Sequence, residues 1–411
     1  MPPRARRAPV LPALGLTLGL TLGLTLGLVV SAVPADATAR QDQWSVPVQA
    51  TITLTGHGYG HGHGMSQYGA EGAARQGLTA QQIVAFYYPG STAGTTGGQV
   101  SVQISADTTD DLEVLARRGL SLRDLSSREK VLLREGPSRW RLVTSNRNVT
   151  RLEALSGGVW TKERRLSGEG QFSAKGPITL VTPSGNRAYR GRLRAAVVKP
   201  GSPARDTVNV LSLEKYLRGV VPREMPPSWS PEAVRAQAIA ARTYAAYERA
   251  HPRAGHYQIC DTTSCQVYGG VGSEVTAATE ALQATRGQVL VDSTGEPAFT
   301  QFSSSSGGWS AAGSVPYLAS QADPYDGWDG NPNHDWTRTL RDDAIERGWP
   351  SIGDLQEIRV AGRDGGGDWG GRVTSLRLVG SQRSLTVSGD TVRAVLGLRS
   401  TYFTFAVAPG R

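Results

Sequence analysis

Cysteine and long apolar runs are both scarce in this sequence, which limits the classes to which it can belong. The 411 residues include two cysteines, Cys260 and Cys265, so at most one intrachain disulfide can form. One long apolar run extends from about residue 10 to residue 33, and no second one follows it. We therefore expect the rest of the chain to be soluble.

Two motifs of common enzyme classes are also missing. The stretch Gly56–Gly64, here called the His/Gly stretch, contains no Gly-x-Gly-x-x-Gly in any register, which excludes a dinucleotide-binding loop. The run Ser303–Ser306 has no Gly-x-Ser-x-Gly elbow around it, which argues against a serine hydrolase. Glycine and proline are abundant, with 50 and 23 residues, and this composition favours many turns over a helical bundle.

The first 37 residues have the pattern of a secretory signal peptide. Arg4, Arg6 and Arg7 precede the apolar run, and Ala35-Asp36-Ala37 places small residues at the two positions that a signal peptidase recognises. An uncleaved membrane anchor is the alternative, because the run approaches spanning length. In both cases we expect the folded part outside the cytoplasm. There the formal charge of +9 suits an anionic cell wall or membrane surface, and not nucleic acid.

The remaining chain divides into four stretches by pattern. Residues 38–50 form a polar linker, and residues 51–98 combine a short strand, the His/Gly stretch and two short helices. Residues 100–200 alternate apolar and polar residues between turns, which predicts a β-rich insert or small domain, with one helix over residues 112–118. Residues 205–408 mix helices and strands, and Ser230-Pro231 predicts the start of a helix that reaches about Ala250.

Several ordered segments carry a family resemblance. They are Val220-Val-Pro-Arg-Glu-Met-Pro226 with Ala236-Gln-Ala-Ile-Ala-Ala-Arg-Thr243, then Cys260–Gly269, Phe302–Trp309 and Leu396–Phe403. Together they resemble the SpoIID/LytB family, over about residues 51–90 and 205–405. The resemblance implies a mixed α+β catalytic domain. Family members with an assigned activity cleave the glycan strands of peptidoglycan by transglycosylation.

The order of one segment departs from the family. Gly60-His-Gly-His-Gly-Met-Ser-Gln67 matches a segment that follows the Leu-Arg-Ser-x-x-Phe motif in the family, whereas here it comes first. A circular permutation would give this order. We therefore predict one catalytic domain assembled from both chain ends, with the strand Phe403–Val407 ending beside Thr51–Leu54.

Glu224 is the catalytic residue that the resemblance implies, and its neighbours support an acid–base role independently. It lies between Val220-Val221 and Met225-Pro226-Pro227, and an apolar site raises the pKa of a carboxyl group. A protonated Glu224 can donate to a glycosidic oxygen, and its carboxylate can then accept the proton of the sugar's 6-hydroxyl group. The product would carry a 1,6-anhydro-muramic end. The alternative is a turn glutamate that faces solvent.

Nine further residues are candidates for glycan binding, and several have structural alternatives. Arg242 lies five residues after Gln237 on the predicted helix, about 140° away around its axis, so it either lines the cleft or forms an internal ion pair. The histidines could instead bind a metal, although the His/Gly stretch contains no carboxylate or thiol. The candidates are His61, His63, Ser66, Gln67, Gln237, Arg242, Tyr268, Ser304 and Ser305.

Cys260 and Cys265 are expected to form a disulfide in an exported chain. Zinc bound by His256 and the two thiols is the alternative, but these residues supply three ligands and no clear fourth follows. We accordingly expect no cofactor.

The function predicted from the sequence is that of a secreted or wall-associated lytic transglycosylase acting on peptide-free glycan. The rival is a non-catalytic glycan-binding protein that enhances a separate cell-wall amidase. Neither involves nucleic acid, and membrane contact follows only if the leader remains uncleaved.

Overall fold

The structure, a computed structural model, describes residues 42–144 and 149–410. The predicted leader over residues 1–37 and the start of the predicted linker 38–50 lie outside these residues. In the described part of the chain no helix combines the length and the apolarity needed to cross a bilayer. Helices and strands are both numerous there, so the predicted mixed α+β class is confirmed.

The helices begin where their capping residues predict. Thr79 and Gln82 form a capping box at the second helix, and Pro231 occupies the first position of the fifth, where its fixed φ suits the first turn. The α-helices of the described residues are α1 Gln67–Arg75, α2 Ala80–Tyr87, α3 Leu213–Arg218, α4 Val221–Glu224, α5 Pro231–Ala250, α6 Thr276–Ala284, α7 Asp342–Gly348 and α8 Gly389–Leu396.

The strands are short and most of them pair antiparallel. In chain order they are β1 Gln43–Ser45, β2 Thr51–His57, β3 Met65–Ser66, β4 Thr92–Thr95, β5 Gln99–Gln103, β6 Leu112–Leu115, β7 Ser121–Asp124, β8 Lys130–Leu132, β9 Arg139–Thr144, β10 Thr150–Ser156, β11 Val159–Arg165, β12 Gly170–Ser173, β13 Ile178–Thr182, β14 Gly185–Tyr189, β15 Arg192–Val197, β16 Arg205–Ser212, β17 Ile259–Cys260, β18 Gln288–Val291, β19 Phe302–Ser303, β20 Asp335–Arg341, β21 Leu355–Arg363, β22 Val373–Gly380, β23 Ser384–Ser388 and β24 Phe403–Ala408.

Two large sheets contain most of the strands from residue 99 to residue 212. One has the order β17-β5-β16-β15-β12-β7-β8 and the other β11-β10-β9-β6-β13-β14. Buried and less buried residues alternate along strands such as β9 and β13, as expected for a sheet with one face on a core. The helix predicted over residues 112–118 is wrong, because Leu112 and Val114 are buried with period two in strand β6.

The buried apolar residues form two clusters. The first core draws its residues from positions 65–318, and the second core draws on positions 44–54 and 336–405. The His/Gly stretch therefore connects the second core to the first, and residues 319–335 lead back. Helix α5 crosses the first core, and its small alanine side chains allow α1, α2 and α6 to pack closely against it.

Both ends of the described chain meet in one sheet of the second core. Strand β2 is the middle strand of the order β20-β2-β24, and Thr51 pairs with Ala408 while Gly56 pairs with Phe403. The predicted proximity of Phe403–Val407 to Thr51–Leu54 is thus confirmed as direct antiparallel pairing.

Candidate active site

Glu224 ends α4, a single turn of helix held between buried residues. Val221 and Met225 on either side are buried in the first core, and Pro222 stands at the start of the turn. The backbone carbonyl of Glu224 accepts a hydrogen bond of 3.0 Å from the side-chain amide of Gln67. These contacts fix the backbone of Glu224, so its carboxyl group has a defined direction.

The Glu224 carboxyl group accepts a backbone hydrogen bond and has a raised pKa. Its Oε1 accepts the backbone N–H of Val267 at 2.9 Å. Burial raises its pKa from 4.5 to about 6, and the Val267 hydrogen bond and the charge of Arg223 oppose this rise without cancelling it. Near neutral pH both protonation states are therefore accessible, as a group that donates and later accepts a proton requires.

The carboxyl group faces a cavity of about 210 Å³. This volume is below the roughly 300–1,000 Å³ typical of sites that enclose a drug-sized ligand. The lining residues are His61, Glu224, Tyr244, Thr263, Ser264, Cys265, Val267, Gln301 and Phe302. Hydroxyl, amide and aromatic groups thus surround a single carboxyl group.

A disulfide joins Cys260 and Cys265, whose Cα atoms are 5.5 Å apart, and shapes one wall of this cavity. The other member of the zinc alternative, His256, bonds through Nε2 to Asp206 at 2.6 Å. Over residues 42–144 and 149–410 no cluster of three His, Cys, Asp or Glu residues is arranged to hold a metal ion. With both thiols in the disulfide, these residues do not fit a zinc site.

His61 is the histidine of the His/Gly stretch that reaches the cavity. Its Nδ1 accepts the backbone N–H of His63 at 3.0 Å, so neutral His61 carries its proton on Nε2. Burial, together with the charges of His63, Arg372 and Arg393, lowers the pKa of His61 to about 4, and a hydrogen bond with the Phe302 backbone opposes this shift. His61 is accordingly uncharged at neutral pH. The His63 ring stacks on it, with centroids 5.0 Å apart.

Gln237 and Arg242 point to different surroundings, as their spacing on α5 predicts. Gln237 is fully buried and accepts a 3.3 Å hydrogen bond from Gln67, so it supports the Glu224 turn from behind. Arg242 is also fully buried and forms a two-point ion pair with Glu214, at 2.8 and 3.0 Å. Arg242 therefore forms the internal ion pair that was one of its two predicted roles, and the predicted role in lining the cleft is wrong.

Four other candidates require correction or a change of role. Ser66 and Ser305 are buried, and both hydroxyls donate to the carboxylate of Asp326. The Tyr268 hydroxyl donates to Asn209 in the interior. Ser304 is partly exposed and accepts from Asn333. None of these four lines the cavity, and the three buried hydroxyl groups bond to partners inside the protein.

Asp326 was not identified from the sequence, yet it organises the loops around the site. Its carboxylate also accepts the backbone N–H groups of Ser306 and Gly307 and a nitrogen of His334. These hydrogen bonds lower its pKa despite burial. The residues around it, Asp323-Pro-Tyr-Asp-Gly-Trp-Asp-Gly330, have an ordinary turn composition that gave no functional signal.

The raised pKa of Glu224 predicts a pH-dependent stability. Below pH 4.5 the group is protonated in both states. As pH rises through 4.5 to about 6, the unfolded chain releases this proton first and the folded state loses about 2 kcal/mol. Glu224→Gln should therefore be stabilised relative to wild type at pH 8 and not at pH 4. Urea denaturation at both pH values measures this.

Glu280→Gln, at an exposed residue of α6, is the matched control for that experiment. A stability difference between Glu224→Gln and wild type that is the same at pH 4 and pH 8 would contradict the raised pKa.

Comparison with known proteins places this site within a family. Residues 202–291, which contain Glu224, α5 and the disulfide, match the model of the SpoIID family, described as Stage II sporulation protein. An amidase enhancer of Bacillus subtilis is 38% identical over 136 residues, covering 32% of this chain and 17% of that protein. An uncharacterized protein of Brachyspira hyodysenteriae is 37% identical over 126 residues, covering 28% and 34%.

A longer match links the chain to a sporulation protein. Stage II sporulation protein D of Bacillus amyloliquefaciens is 30% identical over 230 residues, covering 48% of this chain and 61% of that protein. Each of these relatives is thus matched over less than two thirds of its own length. The resemblance found in the motifs is confirmed, and this chain carries a domain of the SpoIID/LytB family.

Proposed function

We propose that this protein is a peptidoglycan lytic transglycosylase in which Glu224 is the general acid and base. The observation that carries the proposal is the single carboxyl group of the cavity, with a pKa raised to about 6. Ordinary glycoside hydrolysis uses two carboxyl groups, one of which acts on water or on the sugar. An intramolecular transfer needs only one, because the sugar itself supplies the nucleophile.

In the proposed reaction, protonated Glu224 donates its proton to the oxygen of the glycosidic bond next to a muramoyl residue. The bond from that oxygen to C1 breaks, and the 6-hydroxyl oxygen of the same muramoyl residue forms a new bond to C1. The hydroxyl proton passes to the Glu224 carboxylate, which restores the acid. No water is consumed, and one strand end becomes a 1,6-anhydro ring.

The remaining groups of the cavity suit the hydroxyl and acetamido groups of a sugar. Thr263, Ser264 and Gln301 offer hydroxyl and amide groups for sugar hydroxyl and acetamido groups. Tyr244 and Phe302 provide aromatic surface. The reaction as proposed requires neither a metal nor another cofactor.

A non-catalytic role in the cell wall is the second candidate. The relative from Bacillus subtilis is named an amidase enhancer, and such a protein could bind glycan strands without cutting them. In that case Glu224 would contribute to binding alone. Measuring cleavage separately from binding distinguishes the two functions.

Export to the cell wall forms part of the same proposal. The predicted leader over residues 1–37 and the formal charge of +9 both suit a protein that acts on an anionic wall, either released or held at the membrane by an uncleaved leader. Fractionation of cells into wall, membrane and medium would test it, and recovery of the protein in the cytoplasm would contradict it.

We also infer a circular permutation of the family domain, with residues 100–200 as an insert. The direct pairing of β2 with β24 supports the inference. In the family order β24 would be followed directly by β2, and this requires the end of β24 to lie beside the start of β2, as it does here. Gln67 beside Glu224 supports it as well, because the segment 51–88 then completes the same site.

A relinked chain tests the permutation. It would begin at Gln99, run to Gly410, and continue through a flexible linker of about ten residues, able to span about 33 Å, into residues 42–98. We expect it to fold with the Cys260–Cys265 disulfide and the near-ultraviolet circular dichroism of the parent. A control chain opened inside β5 should not fold. If both chains fail to fold, the inference is contradicted.

The acid–base role predicts a selective loss of cleavage. Glu224→Gln should cut peptide-free glycan strands at least about 100-fold more slowly than wild type, because an amide cannot donate and then accept the proton. Binding of the strands should change little, and Glu280→Gln should cleave normally. Fragment ends are quantified by mass spectrometry. Cleavage by Glu224→Gln at a rate near that of wild type would remove Glu224 from the mechanism.

A further inference from the structure

The positive charge of the chain is concentrated in the segment that contains its two large sheets. Residues 99–212 hold 20 lysine or arginine residues and 11 aspartate or glutamate residues, so their formal charge is +9, as large as that of the whole chain. Residues 213–411, which contain Glu224, hold 19 and 21 residues of these two kinds and have a formal charge of −2. The attraction for an anionic partner therefore originates in the sheets and not around the proposed catalytic residue.

Part of this charge forms a row across the seven-stranded sheet. Strand register places Lys130 of β8 opposite Arg123 of β7, and Arg123 in turn opposite Gln171 of β12. Gln171 lies opposite Arg194 of β15. Directly paired residues project from the same face of a sheet, so these four side chains, here called the basic row, lie side by side. At the usual spacing of strands the basic row is about 14 Å long.

The two cations at one end of the basic row are not neutralised. Arg123 and Lys130 are both exposed, and within the described residues neither forms an ion pair or a side-chain hydrogen bond. The adjoining acids Asp124 and Glu129 project from the opposite face, because side chains alternate along a strand. There Asp124 is buried and Glu129 pairs with Arg164. Like charges directly opposite each other destabilise a sheet, and an anionic partner would offset this repulsion.

The positive charge extends to the other end of the basic row. Arg194 is partly neutralised, since its Nε lies 3.7 Å from a carboxylate oxygen of Glu169. Arg192, two residues earlier on the same face of β15, donates to the side chain of Gln99 at 2.6 Å and has no ion pair among the described residues. On this face strands β8, β7, β12 and β15 thus present four cations, with one carboxylate beside them.

The same register connects the basic row to the wall of the Glu224 cavity. Beyond Arg194 it continues through β16 and β5 to Cys260 of β17. The disulfide joins Cys260 to Cys265, which lines the cavity. Strand spacing places Arg194 about 14 Å and Lys130 about 29 Å from Cys260 along the sheet. A ligand on the basic row therefore leaves the cavity open and is held at a fixed distance from it.

We propose that the basic row is a binding surface for a linear anionic polymer of the cell wall whose repeats carry phosphodiester groups, as in a polyol phosphate chain. The inference takes the wall location from the proposed function and does not depend on glycan cleavage. Guanidinium groups suit phosphate oxygens because they can donate two parallel hydrogen bonds, and the ammonium group of Lys130 adds a point charge. A linear chain matches this surface, since its cations follow one line from strand to strand.

An anionic membrane fits the same face less well. One large apolar side chain, Leu132, is exposed beside the basic row, at 70% of its surface. Binding at a bilayer interface depends on buried apolar area as well as on charge. The register row of Leu132 continues with polar side chains, which are Ser121, Ser173 and Arg192. This face therefore offers a bilayer charge with little apolar surface.

Binding of a defined polymer tests the surface. The full-length protein is titrated with poly(glycerol phosphate) at about 50 mM salt, and Arg123→Gln/Lys130→Gln should bind it about 10-fold more weakly than wild type. Raising the salt to about 200 mM should weaken wild type more than this variant, because wild type releases more counterions on binding. Arg377→Gln/Arg383→Gln removes two exposed cations from β22 and the turn after it, and should change the affinity by less than about 2-fold.

The outcomes separate this inference from the proposed function. No binding of poly(glycerol phosphate), or an equal loss of affinity in the two double variants, would overturn the surface. Binding of phosphatidylglycerol vesicles that is lost in Arg123→Gln/Lys130→Gln, without any binding of the polymer, would overturn it in favour of a membrane. Cleavage of peptide-free glycan strands should be the same in both double variants and in wild type. Polymer binding without cleavage by any of the three would support the surface and contradict the transglycosylase.

Discussion

The Asp326 carboxylate is the constraint on which the arrangement of the site depends. It accepts hydrogen bonds from the hydroxyl of Ser66, just after the His/Gly stretch, and from the hydroxyl of Ser305 in the run Ser303–Ser306, and it bonds to a ring nitrogen of His334. Three chain segments that are distant in sequence thus share one acceptor. Because each hydrogen bond to a buried charge is strong, replacing any one donor would leave part of that charge unsatisfied.

Asp326 does not contact Glu224, and it positions the Glu224 site through Ser66 and the residue that follows it. Ser66 also caps α1, and the next residue, Gln67, donates to the backbone of Glu224. Tyr59 of the His/Gly stretch pairs with Ser305, and just beyond the stretch Met65 pairs with Phe302, so the stretch is held against the run Ser303–Ser306. His61 therefore reaches the Glu224 cavity from a loop that the second core anchors at one end and Asp326 at the other. Burial and the charge of Asp326 raise the pKa of the neighbouring Asp323 to about 7. Near neutral pH Asp323 is therefore partly protonated, which reduces the negative charge beside Asp326.

Local chemistry made part of this arrangement predictable. The capping box of α2, the start of α5 at Pro231 and the raised pKa of Glu224 all follow from adjacent residues, and each is present. The roles of Ser66 and Ser305 did not follow, because a hydroxyl in a glycine-rich loop looks the same in sequence whether it faces a sugar or a buried carboxylate. Periodicity likewise separated Arg242 from Gln237 but could not identify Glu214 as the partner of Arg242.

Isotope labelling tests the central claim, that one carboxyl group catalyses an intramolecular transfer. The purified protein is incubated with peptide-free glycan strands in water enriched in oxygen-18, and the new muramic ends are analysed by mass spectrometry. The account predicts 1,6-anhydro ends that contain no oxygen-18, because no water enters the product. New reducing ends that carry oxygen-18 would instead show hydrolysis and would contradict it.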